Sequence, residues 1–284
     1  MSWQETIEQA LGVAIARTRP LAGGDSGEVR RVELEDGRRC VAKTGSRDRL
    51  DGEVHGLDRI AAVGVLATPR ILGLAGGGSE GLLLLEALDP CVAPDWGAFG
   101  RALARHHAEA SGERYGLERD NHLGPTPQSN DWRGDWIDFN RECRHGPLVE
   151  RLSEQKRLAG ADLDLVHRSL DAFDTVLPRA PHPSLLHGDL WSGNVLPTGD
   201  GKVAVIDPAV SIGDGLADIA MMQLFGGFPA ICFEAYFDER GVDRDPRALA
   251  AYRLYHLLNH LLIFGGGYRD GVVVACREVI GVDV

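Results

Sequence analysis

The chain has 284 residues, enough for one large domain or two modest lobes, and 44% of them are apolar, an ordinary share for a globular protein. Thirty Lys and Arg against 42 Asp and Glu give a net charge of −12, which argues against nucleic acid and anionic membranes as partners. Five scattered cysteines form no C-x-x-C pair, so they indicate neither a zinc site nor a disulfide framework and fit a reducing, cytoplasmic setting.

The acidic start, MSWQETIEQA, lacks the apolar segment of a secretory signal, and residues 3–13 read as a short amphipathic helix. LAGGDSGEVRRVELEDGRRCVAK, residues 21–43, reads as three β segments in quick succession. Val32 and Leu34 alternate there with charged residues, the period of a half-exposed strand. Asp36-Gly37 is a two-residue hairpin signal, and Val41 to Lys43 lie on the next strand. Residues 50–63 read as a helix, and Thr68-Pro69 ends the connection after it. GLLLLEALD, residues 81–89, has the form of a fully buried strand running into a linker.

After residue 90 the periodicity turns helical. Residues 96–110 carry Phe99, Leu103 and His106 or His107 at helical spacing, which makes the histidine pair one core and one surface position. Residues 120–135 form a loop rich in Gly, Pro, Asn and Trp. Helices are expected over 135–145, 148–157 and 161–177. Two short apolar runs, SLLHGDL and VAVID, then flank WSGNVLPTGDGK, and two or three helices, over about 214–224, 230–238 and 247–264, finish the chain. The nearly uncharged stretch Leu254 to Tyr268 carries His256, Asn259 and His260, so it reads as buried core rather than a membrane span. The expected fold class is α+β, with a small β-rich N-lobe over residues 1–88 and a larger helical C-lobe over 89–284.

The chemistry concentrates in LLHGDLWSGNVLPTGDGKVAVIDPA, residues 185–209. Asp189 and Asn194 are five apart across a loop, and Asp207 follows a short apolar strand. This is the spacing of D-x-x-x-x-N and a later metal-binding Asp in kinase-like enzymes. Phosphoryl transfer needs Mg²⁺ on phosphate oxygens, and Mg²⁺ takes hard oxygen ligands, which Asn194 and Asp207 supply. Asp189 is left to orient the attacking hydroxyl. Turn residues of no function would also be Asp, Asn and Gly, but the full set between apolar strands points to chemistry.

The N-terminal half supplies a phosphate side. Lys43 sits mid-strand among apolar neighbours, and Glu53 shares a helix face with Leu57 and Ile60, so the two are expected to pair in contact with ATP phosphates. The bland alternative is a snorkelling lysine and a first-turn glutamate. Gly23, Gly24 and Gly27 belong to a Gly-rich stretch that is either an ordinary turn or a backbone cover for phosphate. Glu86 to Leu88 stand where an inter-lobe hinge would offer backbone groups to adenine. Among Asn121, Gln128, Asn130, Trp132 and Trp136, amides and flat rings suit a sugar, with Asn130 and Trp132 as the leading candidates; the same block is otherwise a loop packing its tryptophans inward.

LLHGDLWSGN, IDPAVSIGDGLADIAMMQLFGGFP, YRLYHLLNHLLIFGGGY and the mid-chain DNHLGPTPQSNDWRGDWIDFNRECR resemble the fructosamine (ketosamine) 3-kinase family over nearly the whole chain. The resemblance implies a two-lobed protein-kinase-like fold and ATP-dependent phosphorylation of the sugar 3-hydroxyl of ketosamines, a deglycation activity on small molecules or glycated protein amines. Carried over by position, Asp189 is the catalytic base, Asn194 and Asp207 hold Mg²⁺, and Asp218 braces the catalytic loop. Trp191 and Asp214 join the substrate-side candidates. Aminoglycoside- or choline-type kinases on the same fold are the alternative, and a nucleotide-binding pseudokinase is a more distant one. Pro208-Ala209 after the metal Asp and Gly188 after His187 depart from protein kinases and leave no switch based on a phosphorylated loop.

Overall fold

The computed structural model describes residues 2–21, 27–89, 93–109 and 112–282. The chain divides into two compact units, residues 1–95 with 193–208, and residues 96–192 with 209–284. The division expected at residue 88 therefore falls further along the chain, and 193–208, expected with the helical part, groups with the β-rich one. The reason is local: Val205 donates to the carbonyl of Ala67 at 2.9 Å, which fastens the segment to the first unit.

In the first unit, α1 (Trp3–Leu11) begins with a capping box between Ser2 and Glu5. It leads into β1 (Ile15–Pro20), β2 (Val29–Leu34) and β3 (Arg39–Ser46). Of the three β segments expected over 21–43, the described residues show two, β2 and β3; β1 instead precedes the Gly-rich stretch, where two arginines and a proline mask its alternation. The hairpin at Asp36-Gly37 is present, with Gly37 at φ +84°. After β3 come α2 (Arg47–Val63), β4 (Ile71–Ala75) and β5 (Glu80–Glu86), giving one antiparallel sheet in the order β1-β2-β3-β5-β4.

The leucine run of β5 explains its own continuity. Leu82 and Leu84 pack with Ile7, Val32 and Ala42 on the α1 face, while Leu83 and Leu85 pack with Leu50 and Leu57 on the α2 face. A strand buried on both faces loses the polar alternation. Lys43 is the register partner of Leu83, so it shares the face covered by α2.

The second unit opens with α3 (Trp96–Ala108), which crosses the later helix Ala230–Arg240 closely because Gly100 carries no Cβ; one built there would lie 2.1 Å from the carbonyl oxygen of Cys232. The expected loop at 120–135 contains a hairpin, β6 (Asn121–Leu123) and β7 (Thr126–Gln128). The helices expected over 135–145 and 148–157 follow one another without a break as α4 (Trp136–Phe139), a π-helical turn at Asn140–His145, and α5 (Gly146–Glu154). The following helix is split into α6 (Gly160–Asp171) and α7 (Phe173–Val176). Next, β8 (Pro183–Leu186) pairs with β11 (Ser211–Asp214), while the intervening hairpin β9 (Val195–Pro197) and β10 (Val203–Val205) belongs to the first unit. Four helices close the chain: α8 (Leu216–Leu224), α9 (Ala230–Arg240), α10 (Pro246–Phe264) and α11 (Arg269–Ile280). The last was not expected. Its Val272, Ala275, Cys276 and Val279 recur at helical spacing and pack on α10 with Leu254, Leu258 and Leu261. Among the described residues, no helix is long and apolar enough to cross a membrane.

Candidate active site

The first unit gathers four of the predicted residues. The Lys43 ammonium donates to both oxygens of Glu53, at 2.8 and 2.7 Å, and also to the carboxylate of Asp207. The strand places Lys43 beneath α2, and Glu53 stands one turn into the buried stripe of that helix. Burial acts against the lysine charge, but the two carboxylates outweigh it and raise its pKa. Burial presses Glu53 upward against the pull of Lys43, and the nearby Asp207 adds to the rise. Lys43 is therefore a cation held between two acids.

Asp207 is placed by backbone strain. Its φ is +55°, one of only two such non-glycine residues among those described. The next residue, Pro208, lies under α2 where Gly56 leaves room; a Cβ on Gly56 would sit 2.8 Å from the Pro208 ring. A glycine inside a helix costs about 1 kcal/mol, and here it allows the approach that fixes Asp207. Asn194 and Asp207 stand at the same end of the β9–β10 hairpin, closed by the Ile206 amide donating to the Asn194 carbonyl at 3.0 Å. The hairpin thus brings the backbones of the two residues to one end from either side of its sequence. One carboxylate and one amide suit Mg²⁺, which keeps water and phosphate oxygens in its shell.

The second unit holds Asp189, half-buried, in a turn after β8. The turn is secured from α8: buried Asp218 accepts from the amides of His187 at 2.7 Å and Gly188 at 2.9 Å. The brace expected of Asp218 is thus present. Gly188 has φ +82°, and a Cβ there would lie 2.0 Å from the Ala209 carbonyl, so only glycine serves. His107 extends the brace to α3. One ring nitrogen is 3.2 Å from Asp218 and the other 2.9 Å from the Tyr236 hydroxyl. The carboxylate only accepts, so Nε2 donates to it and Nδ1 accepts from Tyr236 in that tautomer. Burial would raise the Asp218 pKa, but the His107 contacts and the loop amides outweigh it and lower it. Both members of the histidine pair are buried, against the expectation of one surface position.

The remaining candidates separate. Gly23 and Gly24 lie outside the described residues. Gly27 packs hard against β3, where a Cβ would meet the Thr44 carbonyl oxygen at 1.7 Å. Glu86 ends β5; its amide donates to the Arg70 carbonyl at 2.9 Å, and its carboxylate pairs with the Arg70 side chain at 3.0 Å. Leu88 follows the strand, half-buried.

On the substrate side, Asn130 is only 1% exposed, and its amide joins Asn121, the Arg119 carbonyl and Arg144. Asp214 is buried, accepting from the Leu216 amide at 3.0 Å and the Tyr252 hydroxyl at 2.7 Å, with Trp136 donating to that hydroxyl. These polar groups tie loops and helices together inside the unit. Sequence could not separate this use from sugar contact, because an amide serves both equally well. Trp132 is half-buried under the Arg114 guanidinium, 5.3 Å from its ring. Trp191 is 39% exposed, on the turn that carries Asp189.

A model of the fructosamine kinase family matches residues 1–281. A probable ketoamine kinase of Synechocystis sp. is 36% identical over 224 residues, covering 78% of this chain and 75% of that protein. The solved structure of a candidate fructosamine-3-kinase from Thermobifida fusca superposes with a TM-score of 0.88 at 28% identity, over 99% of both chains. A thermostable mutant of aminoglycoside phosphotransferase APH(4)-Ia superposes with a TM-score of 0.65 at 19% identity, over 98% of this chain and 97% of that one, a likeness of fold alone.

Proposed function

We propose a ketosamine 3-kinase reaction for this chain, which belongs to the fructosamine kinase family and has the protein-kinase-like α+β fold. The acceptor is the sugar 3-hydroxyl of a ketosamine, free or on a glycated protein amine, and the donor is ATP. The observation that carries the reading is the Lys43 ammonium held between Glu53 and Asp207. Two carboxylates around one ammonium leave a negative balance that suits a metal cation, and the ammonium is the group that can meet a phosphate oxygen.

In this reading Asp189 accepts a hydrogen bond from the sugar hydroxyl and aligns its oxygen for in-line attack on the γ-phosphorus. The new O–P bond forms as the bond to the departing ADP oxygen breaks, and the hydroxyl proton passes toward the Asp189 carboxylate. Lys43 contacts the nucleotide phosphates, and Glu53 keeps it from swinging away. Asn194 and Asp207 would hold Mg²⁺. When bound, that ion neutralises phosphate charge. Asp218 and His107 act only through the turn they hold. Trp191 offers a flat apolar face to the sugar. Asn130 and Asp214 serve as scaffold. The buried, unpaired thiols Cys40, Cys143, Cys232 and Cys276 suit a reducing, cytoplasmic compartment.

Purified protein with ATP, Mg²⁺ and a panel of fructosyl- and ribulosyl-amines tests the reading, with choline and aminoglycosides as controls. The expected product carries its phosphate at the 3-position, read by NMR. Nucleotide binding without turnover of any sugar-amine would favour the pseudokinase instead.

A further inference from the structure

Starting at the Asp189 turn, a chain of aromatic rings runs across the second unit. Trp191, whose amide donates to the Asp189 carbonyl at 3.1 Å, meets Phe225 edge-on at 6.3 Å. Phe225 is 4.9 Å from the His260 ring, and His260 is 5.5 Å from Phe264 and 5.0 Å from Tyr268. Phe264 and Tyr268 face each other at 6.0 Å. Two of these rings stand out from the surface, Phe225 at 40% and Phe264 at 51% exposure, while His260 and Tyr268 are half-buried, Tyr268 against the core shared by α10 and α11. A run of large aromatic side chains that surfaces at Trp191, Phe225 and Phe264 marks a binding surface. The chain accepts a glycine-only backbone to build it. Gly265 has φ +88° and ψ −159°, and the Tyr268 amide donates back to its carbonyl at 3.3 Å, which folds Tyr268 onto Phe264.

We infer that Phe225, Phe264 and Tyr268 form an amine-side subsite that selects ketosamines whose nitrogen carries an apolar group, arylalkyl or branched alkyl. This rests on the ketosamine reading above. The reacting hydroxyl must sit at Asp189, so the sugar occupies the start of the wall at Trp191. The nitrogen substituent is the part of the acceptor that extends past the sugar, and the rings continue from the same turn. The faces of Phe225, Phe264 and Tyr268 are apolar, so an aryl substituent gains stacking and burial there while an amino-acid head group stays in water.

The test holds the ketose constant and varies the amine: methyl, isopentyl, phenethyl and lysine adducts of fructose. In the native protein, kcat/KM is expected to rise roughly tenfold from the methyl to the phenethyl adduct. Phe264→Ala and Tyr268→Ala, checked for an unchanged melting temperature, are each expected to cut the phenethyl-to-methyl ratio several-fold. Equal turnover of all four adducts by the native protein overturns this inference and leaves the ketosamine reading standing. So does a ratio that neither variant moves, or a preference for the lysine adduct over the phenethyl one. Failure to phosphorylate any adduct removes the ketosamine reading, and the subsite with it.

Discussion

In the first unit, Asp207 is bonded by a lysine 164 residues away, side chain to side chain. In the second, the turn carrying Asp189 is bonded through its backbone, by two amides that donate into one buried carboxylate. The first arrangement is adjustable: Lys43 has three N–H donors and a flexible stem, and two acids share it. The second is rigid, because amides of adjacent residues leave the turn one orientation. Such a division suits a phosphate side that must accommodate a changing charge and an acceptor side that must keep one oxygen in line. The predictions below ask whether the two regions fail differently when broken.

The largest effect is expected at Asp189. Asp189→Asn preserves shape and removes the acceptor of the hydroxyl proton, and general-base groups contribute about 10²–10⁴-fold. Turnover should fall toward the upper end of that range, while nucleotide affinity, measured by titration calorimetry, stays nearly intact. Full activity in this variant would remove the central role given to Asp189.

Asp218→Ala should come next. It leaves the His187 and Gly188 amides and the His107 ring without their buried acceptor, a loss of about 3–5 kcal/mol in stability. Denaturant unfolding would measure it, and turnover should fall in whatever fraction remains folded. A variant with native stability but low activity would contradict the bracing role.

A pH effect separates the regions further. His106 and His256 are buried in the second unit, and burial lowers their pKa to about 4 and about 3. The unfolded chain binds these protons from about pH 6.5 downward, while the folded chain resists them. Stability is therefore complete above that pH and declines as pH falls through 6.5 toward 4, by a few kcal/mol in all. Urea midpoints at pH 7 and pH 5 would show it, and His106→Gln should flatten the slope. A midpoint independent of pH over that interval would mean that these rings are already charged in the folded protein.

The contrast also explains what the sequence disclosed. Lys43 and Glu53 were legible because each is an ionisable group on an otherwise buried face, one in a strand and one in a helix. Asp189, Asn194 and Asp207 were legible by spacing, but their separation into two units was not, since nothing local tells a β-hairpin which core it joins. The strand at Ile15–Pro20 was hidden by its arginines. The helix at Arg269–Ile280 was hidden by a glycine and four valines, residues of modest helix propensity that packing against α10 overrides. Least legible were Asn130 and Asp214. Their roles depend on partners such as Arg144 and Tyr252, brought by folds of the chain that composition does not announce.

The smallest effect expected is at Glu53, and it bears most directly on the comparison. Glu53→Gln keeps the size and removes one of two acids around a single ammonium. Lys43 retains Asp207 as its partner. The lost ion pair costs stability, but the substitution also removes the cost of burying the Glu53 charge and its repulsion from Asp207, which together push Glu53 upward. The two terms oppose each other, so the melting temperature should move little. Function should not be spared equally. With Glu53 neutral, Lys43 is drawn to Asp207, the residue assigned to the metal, and the phosphate contact loses its anchor. KM for the nucleotide is expected to rise about tenfold, equivalent to about 1.4 kcal/mol, with a smaller change in KM for the sugar-amine. Should the melting temperature fall as far as in Asp218→Ala, Glu53 would be a structural brace of the same kind. The phosphate side would then be as rigid as the acceptor side, and the division between the two regions would not hold.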